Sequence, residues 1–455
     1  MNTREAVYRL TKMNGVSHTT LNPYGPGVVR MHLVPPKFSL AKTPPSVVIL
    51  NGKDIIPINM SWAILLDSFI NEVNLYEGKE ITEKEMGVIV DQTIKRVKRV
   101  YYRTKVEKMK EDLWKIVKTL TDVAYGNEPS ENIGYMTLGE YAPYMTAPHR
   151  MDLMVSAMTR DGKWQCNQKC LHCYAAGQTQ SEVEELSTSE WKRVIDQCKL
   201  IGIPQLTFTG GEPTMREDLP ELVEHAKWFV TRLNTNGVKL TKELCQKLYD
   251  ASLDSVQITL YSSDEKAHNT LVGANNYQST VNGIENAIQA GLNISVNTPL
   301  CTVNANYLET LKFLNALGVK YVSCSGLIVT GNACQQESKA TQLREEELYS
   351  VLQEATSYCA ENHIEISFTS PGWIAAEKLE ALGLAIPSCG ACLSNMAIAP
   401  DGGVVPCQSW LSEKNLGNIL KQPWKSIWNS QRCKEIREYA SSMKLDCPLK
   451  KEGAL

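Results

Sequence analysis

The sequence predicts an α/β chain: a partial (β/α)6 TIM-like barrel, preceded by an N-terminal α+β domain and followed by a small cysteine-bearing domain. Three observations lead there. From residue 151 to about 370, six short apolar runs alternate with stretches long enough for a helix each, the pattern of a parallel sheet with crossover helices. Before them, a strand–turn–strand pattern gives way to amphipathic helices. After them, cysteines gather between 389 and 407.

A chain of 455 residues exceeds one ordinary core, so two or three domains are expected. Apolar residues make up 43% and charged ones 21%, the balance of a soluble globular protein. No apolar run reaches eighteen residues, so no membrane helix is expected, and Met1-Asn2-Thr3-Arg4-Glu5 lacks an apolar signal core, which points to the cytoplasm. A net charge of −3 argues against a general nucleic-acid binder. Fourteen cysteines in such a chain point to metal or redox chemistry, not to a disulfide framework.

Residues 1–45 are rich in Pro, Gly and Asn, show little periodicity, and are broken at Pro35-Pro36 and Pro44-Pro45. Residues 47–58 read as a β-hairpin turning at Asn51-Gly52, a type I′ signal. Asn59 or Ser61 then caps a helix through Trp62, Ile64, Leu65 and Phe69. In the next helix Met86, Val90, Ile94, Val97 and Tyr101 recur at helical spacing behind a Thr82–Glu85 capping box, and a third covers about 105–124. The basic run Lys95, Arg96, Lys98 and Arg99 reads as a solvated face. The domain spans 1–125, and the Gly-, Pro- and Tyr-rich stretch 126–150 reads as a linker.

The expected barrel strands are 151–158, 205–208, 231–234, 255–260, 293–297 and 321–325, with helices such as 189–201, 219–229 and 280–290 between them. In barrels of this kind chemistry sits in the loops after the strands' C-terminal ends. The loop after the first strand carries Cys166, Cys170 and Cys173, spaced C-x3-C-x2-C. Chance gives that spacing about 0.01 times in a chain of this composition. Three adjacent thiolates can hold three irons of a cubane iron–sulfur cluster and leave the fourth iron open to a ligand. A zinc site would need a further Cys or His, and His172, between two of the thiols, is poorly placed to serve. The second strand runs into Gly210-Gly211-Glu212-Pro213, where two glycines allow close backbone approach and a carboxylate can accept from an ammonium group.

With Cys166, Cys170 and Cys173 followed one β-α unit later by Gly210-Gly211-Glu212-Pro213, the chain resembles the radical S-adenosylmethionine (radical SAM) enzymes. The resemblance implies that the three cysteines hold a 4Fe–4S cluster whose open iron is chelated by S-adenosylmethionine. Residues Gly210, Gly211, Glu212 and Pro213 would then bind the cofactor's amino group. It implies reductive cleavage to a 5′-deoxyadenosyl radical that abstracts hydrogen from the substrate, with a flavodoxin- or ferredoxin-type protein as reductant. Asn236, in Asn234-Thr235-Asn236-Gly237, and Thr259, where the family often has Ser, fall at positions facing the cofactor. Tyr261 and Ser262 depart from the family's strand pattern; His268 and Gly273 fit the stretch after it, where Asn269 and Val272 replace its Asp and Arg.

From 371 to 455, Cys389, Cys392 and Cys407, with the Pro400-Asp401-Gly402 turn between them, resemble the opening of the SPASM auxiliary-cluster domain. That implies one auxiliary 4Fe–4S cluster completed by a distant cysteine, Cys447 being the best candidate. Cysteines for a second auxiliary cluster are missing, so the domain is expected to be of the shortened twitch type, with zinc at the same thiols as the alternative. Cys433 falls in a helical pattern with Ile427, Ile436 and Tyr439 and reads as a packed core residue; the remaining cysteines read as buried small hydrophobes.

The N-terminal hairpin and helices resemble, in order only, the winged-helix peptide-binding domains fused to peptide-modifying enzymes; a structural cap is the alternative. Together these features point to a maturase acting on a ribosomally made peptide. Gln408 after Cys407, in place of a base-forming Asp, speaks against formylglycine formation. A haem- or cofactor-biosynthesis enzyme acting on a small molecule is the second reading, and a non-catalytic iron–sulfur electron carrier the third.

Overall fold

The computed structural model describes residues 1–13, 15–21, 28–36, 45–52, 54–442 and 446–450; Pro44, named above, and Lys53, within the 47–58 hairpin, lie outside them. The chain divides into two compact units, Met1–Thr146 with Lys199–Pro204, and Ala147–Cys198 with Gln205–Leu455.

In the first unit, β1 (Ser17–Leu21), β2 (Val29–Val34), β3 (Ser46–Leu50) and β4 (Asp54–Ile58) form an antiparallel sheet in that order. The β3–β4 turn has Asn51 and Gly52 at φ +49° and +69°, as a type I′ hairpin requires. Before the sheet comes α1 (Thr3–Thr11), and after it α2 (Met60–Val73), α3 (Glu83–Val97) and α4 (Val106–Ala124). Asn59 caps α2 by accepting from the Trp62 amide at 2.9 Å, and Thr82 and Glu85 cap α3 reciprocally. Each such cap is worth about 1 kcal/mol. One core joins Met31, Leu33, Val48 and Ile56 of the sheet to Ile64, Phe69, Ile94, Leu113 and Ile116 of the helices. In the basic run Lys95 and Arg99 are exposed, whereas Arg96 pairs with Glu72 and Lys98 Nζ donates to the carbonyls of Tyr102 and Thr104.

The reading of residues 1–45 as unpatterned is corrected by α1, β1 and β2. In β2 the polar Arg30 and His32 are as buried as Met31 and Leu33, so no inside–outside alternation marks the strand.

The second unit is a mixed α/β fold on a ten-stranded sheet. Its strands are β5 (Arg150–Ser156), β6 (Gln205–Gly210), β7 (Val230–Thr235), β8 (Ser255–Thr259), β9 (Ile294–Pro299), β10 (Tyr321–Ser325), β11 (Glu365–Phe368), β12 (Asn395–Ile398), β13 (Gly403–Val405) and β14 (Gly417–Asn418). They lie in the order β11-β10-β9-β8-β7-β6-β5-β12-β13-β14, parallel from β11 to β12 and antiparallel thereafter. Helices Thr188–Ile201, Leu219–His225, Lys242–Asp250, Tyr277–Gln289, Tyr307–Ala316 and Glu345–Glu361 fall between strands. The expected helix over 219–229 stops at His225, because the chain turns at Ala226–Phe229 to enter β7.

The six expected strands are all present, and two parallel neighbours join them. Strand β11, a short polar edge with only Phe368 buried, gave no apolar run to read. Strand β12, from the cysteine-bearing region, pairs with β5, so that region extends the large sheet instead of standing apart. Among the described residues no helix is long and apolar enough to cross a membrane.

Candidate active site and metal centres

Strand β5 ends in a bulge at Ser156, and the cysteine loop follows it. Hydrogen bonds from Lys169 N to Val272 O (2.9 Å) and from Leu171 N to Leu271 O (2.8 Å) lay the loop on the segment after β8. Asn332 and Ser338 take its carbonyls: Asn332 Nδ2 donates to Cys170 O, Asn332 N to Cys173 O, and Ser338 Oγ to Leu171 O. Buried Tyr261 closes one side of the loop, which accounts for a bulky residue at a position departing from the family pattern.

Cys166, Cys170 and Cys173 are thereby brought together. Burial, the negative Glu212 and the neighbouring thiols push Cys166 up to about 12, and burial followed by Cys173 and Cys166 pushes Cys170 up as well. Loading metal on such thiols must release protons. The donors fit a cluster: three half-buried thiols in one loop, and beside Cys166 the amide Nδ2 of Asn167, buried and without a hydrogen-bond partner. Among the described residues no three His, Cys, Asp or Glu side chains converge on a single ion. Thiols placed at the corners of a four-iron cube stand further apart than those around one zinc.

The Gly210–Pro213 turn is tied to the end of β5. Gly211 N donates to Ser156 O at 2.8 Å, and Glu212 N to Ser156 Oγ at 3.1 Å. Gly210 sits at φ +141°, and a Cβ there would overlap the Ser156 carbonyl. Glu212 is 2% exposed. Its carboxylate accepts from Thr214 N (3.0 Å), Thr214 Oγ1, Thr235 Oγ1 (2.6 Å) and Asn236 N (2.8 Å). Burial raises its pKa against the lowering effect of these donors. Three of these donors meet Oε1 and one, Asn236 N, meets Oε2, which keeps a free acceptor site. Glu212 thus links the turns after β6 and β7, and Gly211 O, beside the thiols, accepts from Cys166 Sγ at 3.7 Å.

Asn236 extends this network to the cysteine loop, its Nδ2 donating to Asn167 Oδ1 at 2.6 Å. Thr259 ends β8, half-buried, opposite Asn297 of β9. On the same face Gln257 Nε2 donates to Ser323 Oγ (3.2 Å), which donates to Asn297 Oδ1 (2.9 Å). Val256, Ile258 and Val296 are buried on the opposite face.

Asn167, Thr235, Asn332, Gln257 and Asn297 were not singled out from the sequence. A signal existed for the last two: central parallel strands usually read as unbroken apolar runs, and Ser255-Val256-Gln257-Ile258-Thr259 alternates instead.

His172 is no ligand in this geometry: its Nε2 meets Thr341 Oγ1 at 2.8 Å and burial lowers it to about 4. His268, fully buried, accepts from Tyr261 N through Nδ1 at 3.3 Å, and burial lowers it to about 4. Below pH 6.5 the unfolded chain protonates His268 while the folded chain stays neutral until about pH 4. Stability is therefore expected to fall as pH drops through that window. His268→Gln should flatten the slope in thermal melts taken between pH 7 and 4.5; an unchanged slope would remove His268 from the account.

In the C-terminal region Cys389, Cys392 and Cys407 lie near one another, and Cys447 adjoins Cys389 and Cys407. Burial first, then the neighbouring thiols, push Cys407 up to about 12 and Cys447 to about 11. The Cys447 amide donates to Pro371 O at 3.3 Å. Cys433 lies on helix Gln431–Ser441, separate from the helix Trp424–Trp428 that holds Ile427, and is buried there with Ile436 and Ala440. Its sulfur accepts from Arg437 Nη1 at 3.4 Å.

The second unit thus sets a three-thiol loop and a Gly-Gly-Glu turn at the strand ends of a parallel α/β sheet, with a second thiol set on the sheet's extension. Residues 165–314 match the model of the radical SAM superfamily and residues 389–448 that of the SPASM iron–sulfur cluster-binding domain. Residues 165–314 are thus a radical SAM domain and residues 389–448 a SPASM-type iron–sulfur cluster-binding domain. These domains imply a 4Fe–4S cluster, S-adenosylmethionine and an auxiliary cluster.

The chain is 34% identical over 150 residues to a Methanococcus maripaludis protein named "Probable GTP 3′,8-cyclase", covering 30% of this chain and 48% of that one. It is 30% identical over 223 residues to the AdoMet-dependent heme synthase of Oleidesulfovibrio alaskensis, covering 46% and 56%. The chain thus spans about half the length of the curated relatives it matches. In fold it is similar to Streptococcus suis SuiB bound to the precursor peptide SuiA, with TM-score 0.59, 13% identity, and 90% and 94% of the two chains covered.

Proposed function

We propose that this chain is a peptide maturase: it cleaves S-adenosylmethionine reductively and uses the radical to abstract hydrogen from a ribosomally made peptide. One observation carries the choice of a peptide. The C-terminal unit makes up about two thirds of the chain. A likeness covering 90% of it therefore takes in much of the N-terminal unit as well, and the protein on the other side holds its precursor peptide. The N-terminal sheet and its three following helices agree with the peptide-binding pattern read from the sequence.

In this reading Cys166, Cys170 and Cys173 hold the 4Fe–4S cluster, and the strands from β5 onward curve into a partial barrel around the cofactor. When bound, cluster and cofactor supply a 5′-deoxyadenosyl radical able to take hydrogen from an unactivated carbon. Gly211 O and Glu212 Oε2, which takes one donor in the fold, would accept from the cofactor's ammonium group, the role the sequence suggested for this turn. Asn167 Nδ2 donates to its carboxylate, with Asn236 holding Asn167 in place. Thr259, Gln257, Asn297 and Ser323 line the polar face toward cofactor and substrate. Cys389, Cys392, Cys407 and Cys447 hold one auxiliary 4Fe–4S cluster. A flavodoxin- or ferredoxin-type donor supplies electrons, the reaction belongs in the cytoplasm, and nucleic acid plays no part.

The test is incubation of the reconstituted, reduced chain with S-adenosylmethionine and the short peptide encoded beside its gene. A mass loss in the peptide, matched by 5′-deoxyadenosine, is expected; an unmodified peptide overturns the proposal. The relatives named as heme synthase and cyclase support the second reading, a small-molecule substrate, and a porphyrin consumed in the same assay would establish it.

A further inference from the structure

The sheet face that carries Gln257, Thr259 and Asn297 continues into a charged stretch with no part in the site described above. Side chains two residues apart on a strand share a face. Asn234 stands opposite Gln257, so Arg232 lies on this face too; Thr207 stands opposite Arg232, and Asp152 opposite Thr207. Leu206, Leu233 and Val256, which alternate with them, are fully buried on the other face.

Arg232 is exposed, although its strand β7 has β6 on one side and β8 on the other. Among the described residues its guanidinium has no hydrogen-bond or ion-pair partner. The nearby carboxylates are engaged elsewhere: Asp152 pairs with Arg150 at 2.9 Å, and Asp254 Oδ2 accepts from Thr231 N at 2.7 Å. Water reaches the guanidinium, yet burial first and then Arg150 lower its pKa. The charge therefore stands in a wet recess of the sheet face, not on open surface.

A second observation points to a ligand there. Thr207 is 3% exposed, and its Oγ1 is buried with no hydrogen-bond partner. On the same strand and face Gln205, also 3% exposed, has its Nε2 in the same state. Buried donors left unmet are costly and rare. A hydroxyl, an amide and a guanidinium, each able to donate and each without an acceptor, thus gather on two adjacent strands. One uncompensated positive charge matches a singly charged, planar carboxylate.

We infer that Arg232, with Thr207 and Gln205 beside it, forms a subsite that binds a carboxylate of the substrate. The inference rests on the peptide reading for the source of that group, an acidic side chain or the peptide's C-terminus. Arg232 lies four residues before Asn236, about 13 Å along the strand. It is a positioning residue: it grips the substrate away from the cofactor turn and acts on binding, not on hydrogen abstraction.

The test uses the full, iron-loaded chain and phenylglyoxal, a reagent for free guanidinium groups, with modification at Arg232 read by mass mapping. N-acetylglutamate should slow that modification severalfold, and N-acetylglutamine should not. T207V removes an unmet hydroxyl, so it should melt no lower than the parent yet weaken protection by about tenfold. Equal protection by the two probes, or an Arg232 that resists the reagent without them, would overturn the inference. With the peptide encoded beside the gene, R232Q should raise KM about tenfold with kcat changed less, and R232K should recover part of the loss. Exchanging the peptide's Asp and Glu for their amides, or amidating its C-terminus, should reproduce the KM rise in one of the two arms and so name the source. No rise in either arm, or none in R232Q, would overturn the subsite. Protection by N-acetylglutamate alongside a peptide that the parent chain leaves unmodified would support the subsite and overturn the peptide reading.

Discussion

Cys170→Ala is expected to cut iron from about eight to about four per chain and to reduce 5′-deoxyadenosine formation to background. Cys170 is the middle thiol of the loop, near both Cys166 and Cys173, and its carbonyl is held by Asn332 Nδ2 at 3.1 Å. Removing its sulfur leaves two ligands, too few to keep a cluster with one open iron. The substitution shortens a side chain in a loop fixed by main-chain hydrogen bonds to Leu271 and Val272, so the fold should persist. Iron analysis and product assay on one sample check both halves. Full iron with full activity would remove the three-cysteine loop from the chemistry.

Gly210→Ala is expected to cost about 3 kcal/mol of stability and to abolish cofactor binding. The residue lies at φ +141°, where an L side chain is strained, and its Cβ would overlap Ser156 O and stand 2.8 Å from Ser156 N. Relief requires the ends of β5 and β6 to part. That movement would break the Gly211–Ser156 hydrogen bond and displace Gly211 O from beside Cys166. Thermal denaturation and equilibrium binding of S-adenosylmethionine measure the two effects. Gly211→Ala should be milder, since its Cβ would meet Ala157 O at 2.9 Å and the flexible Met158 Sδ at 3.2 Å. Equal behaviour of Gly210→Ala and the parent would show that the turn does not depend on this backbone.

Features coded by local chemistry were legible in the sequence. The Asn51-Gly52 turn, the Asn59 cap and the Thr82–Glu85 box act within a few residues, and all three are found in the structure. The central strands were legible because Met151, Leu206, Val256 and Val296 are apolar and buried. Features that depend on distant partners were not. Strand β2 hides behind Arg30 and His32, whose burial only the finished sheet explains, and β11 is a polar edge.

The site divides the same way. Cys166, Cys170, Cys173 and Gly210–Pro213 stand close in sequence and carry a readable spacing. The roles of Asn167 and Asn332 depend on contacts across 69 and 162 residues with Asn236 and Cys170. Glu212 shows the limit most clearly: its type suggested a ligand group, and only the fold reveals that Thr214, Thr235 and Asn236 also donate to its carboxylate.

The central claim is that the cysteine loop and the Gly-Gly-Glu turn together cleave S-adenosylmethionine. Its most direct test is anaerobic reduction of the iron-loaded chain with dithionite in the presence of S-adenosylmethionine, with products followed by chromatography. Methionine and 5′-deoxyadenosine in equal amounts are predicted. A chain carrying its full iron that forms neither would contradict the account.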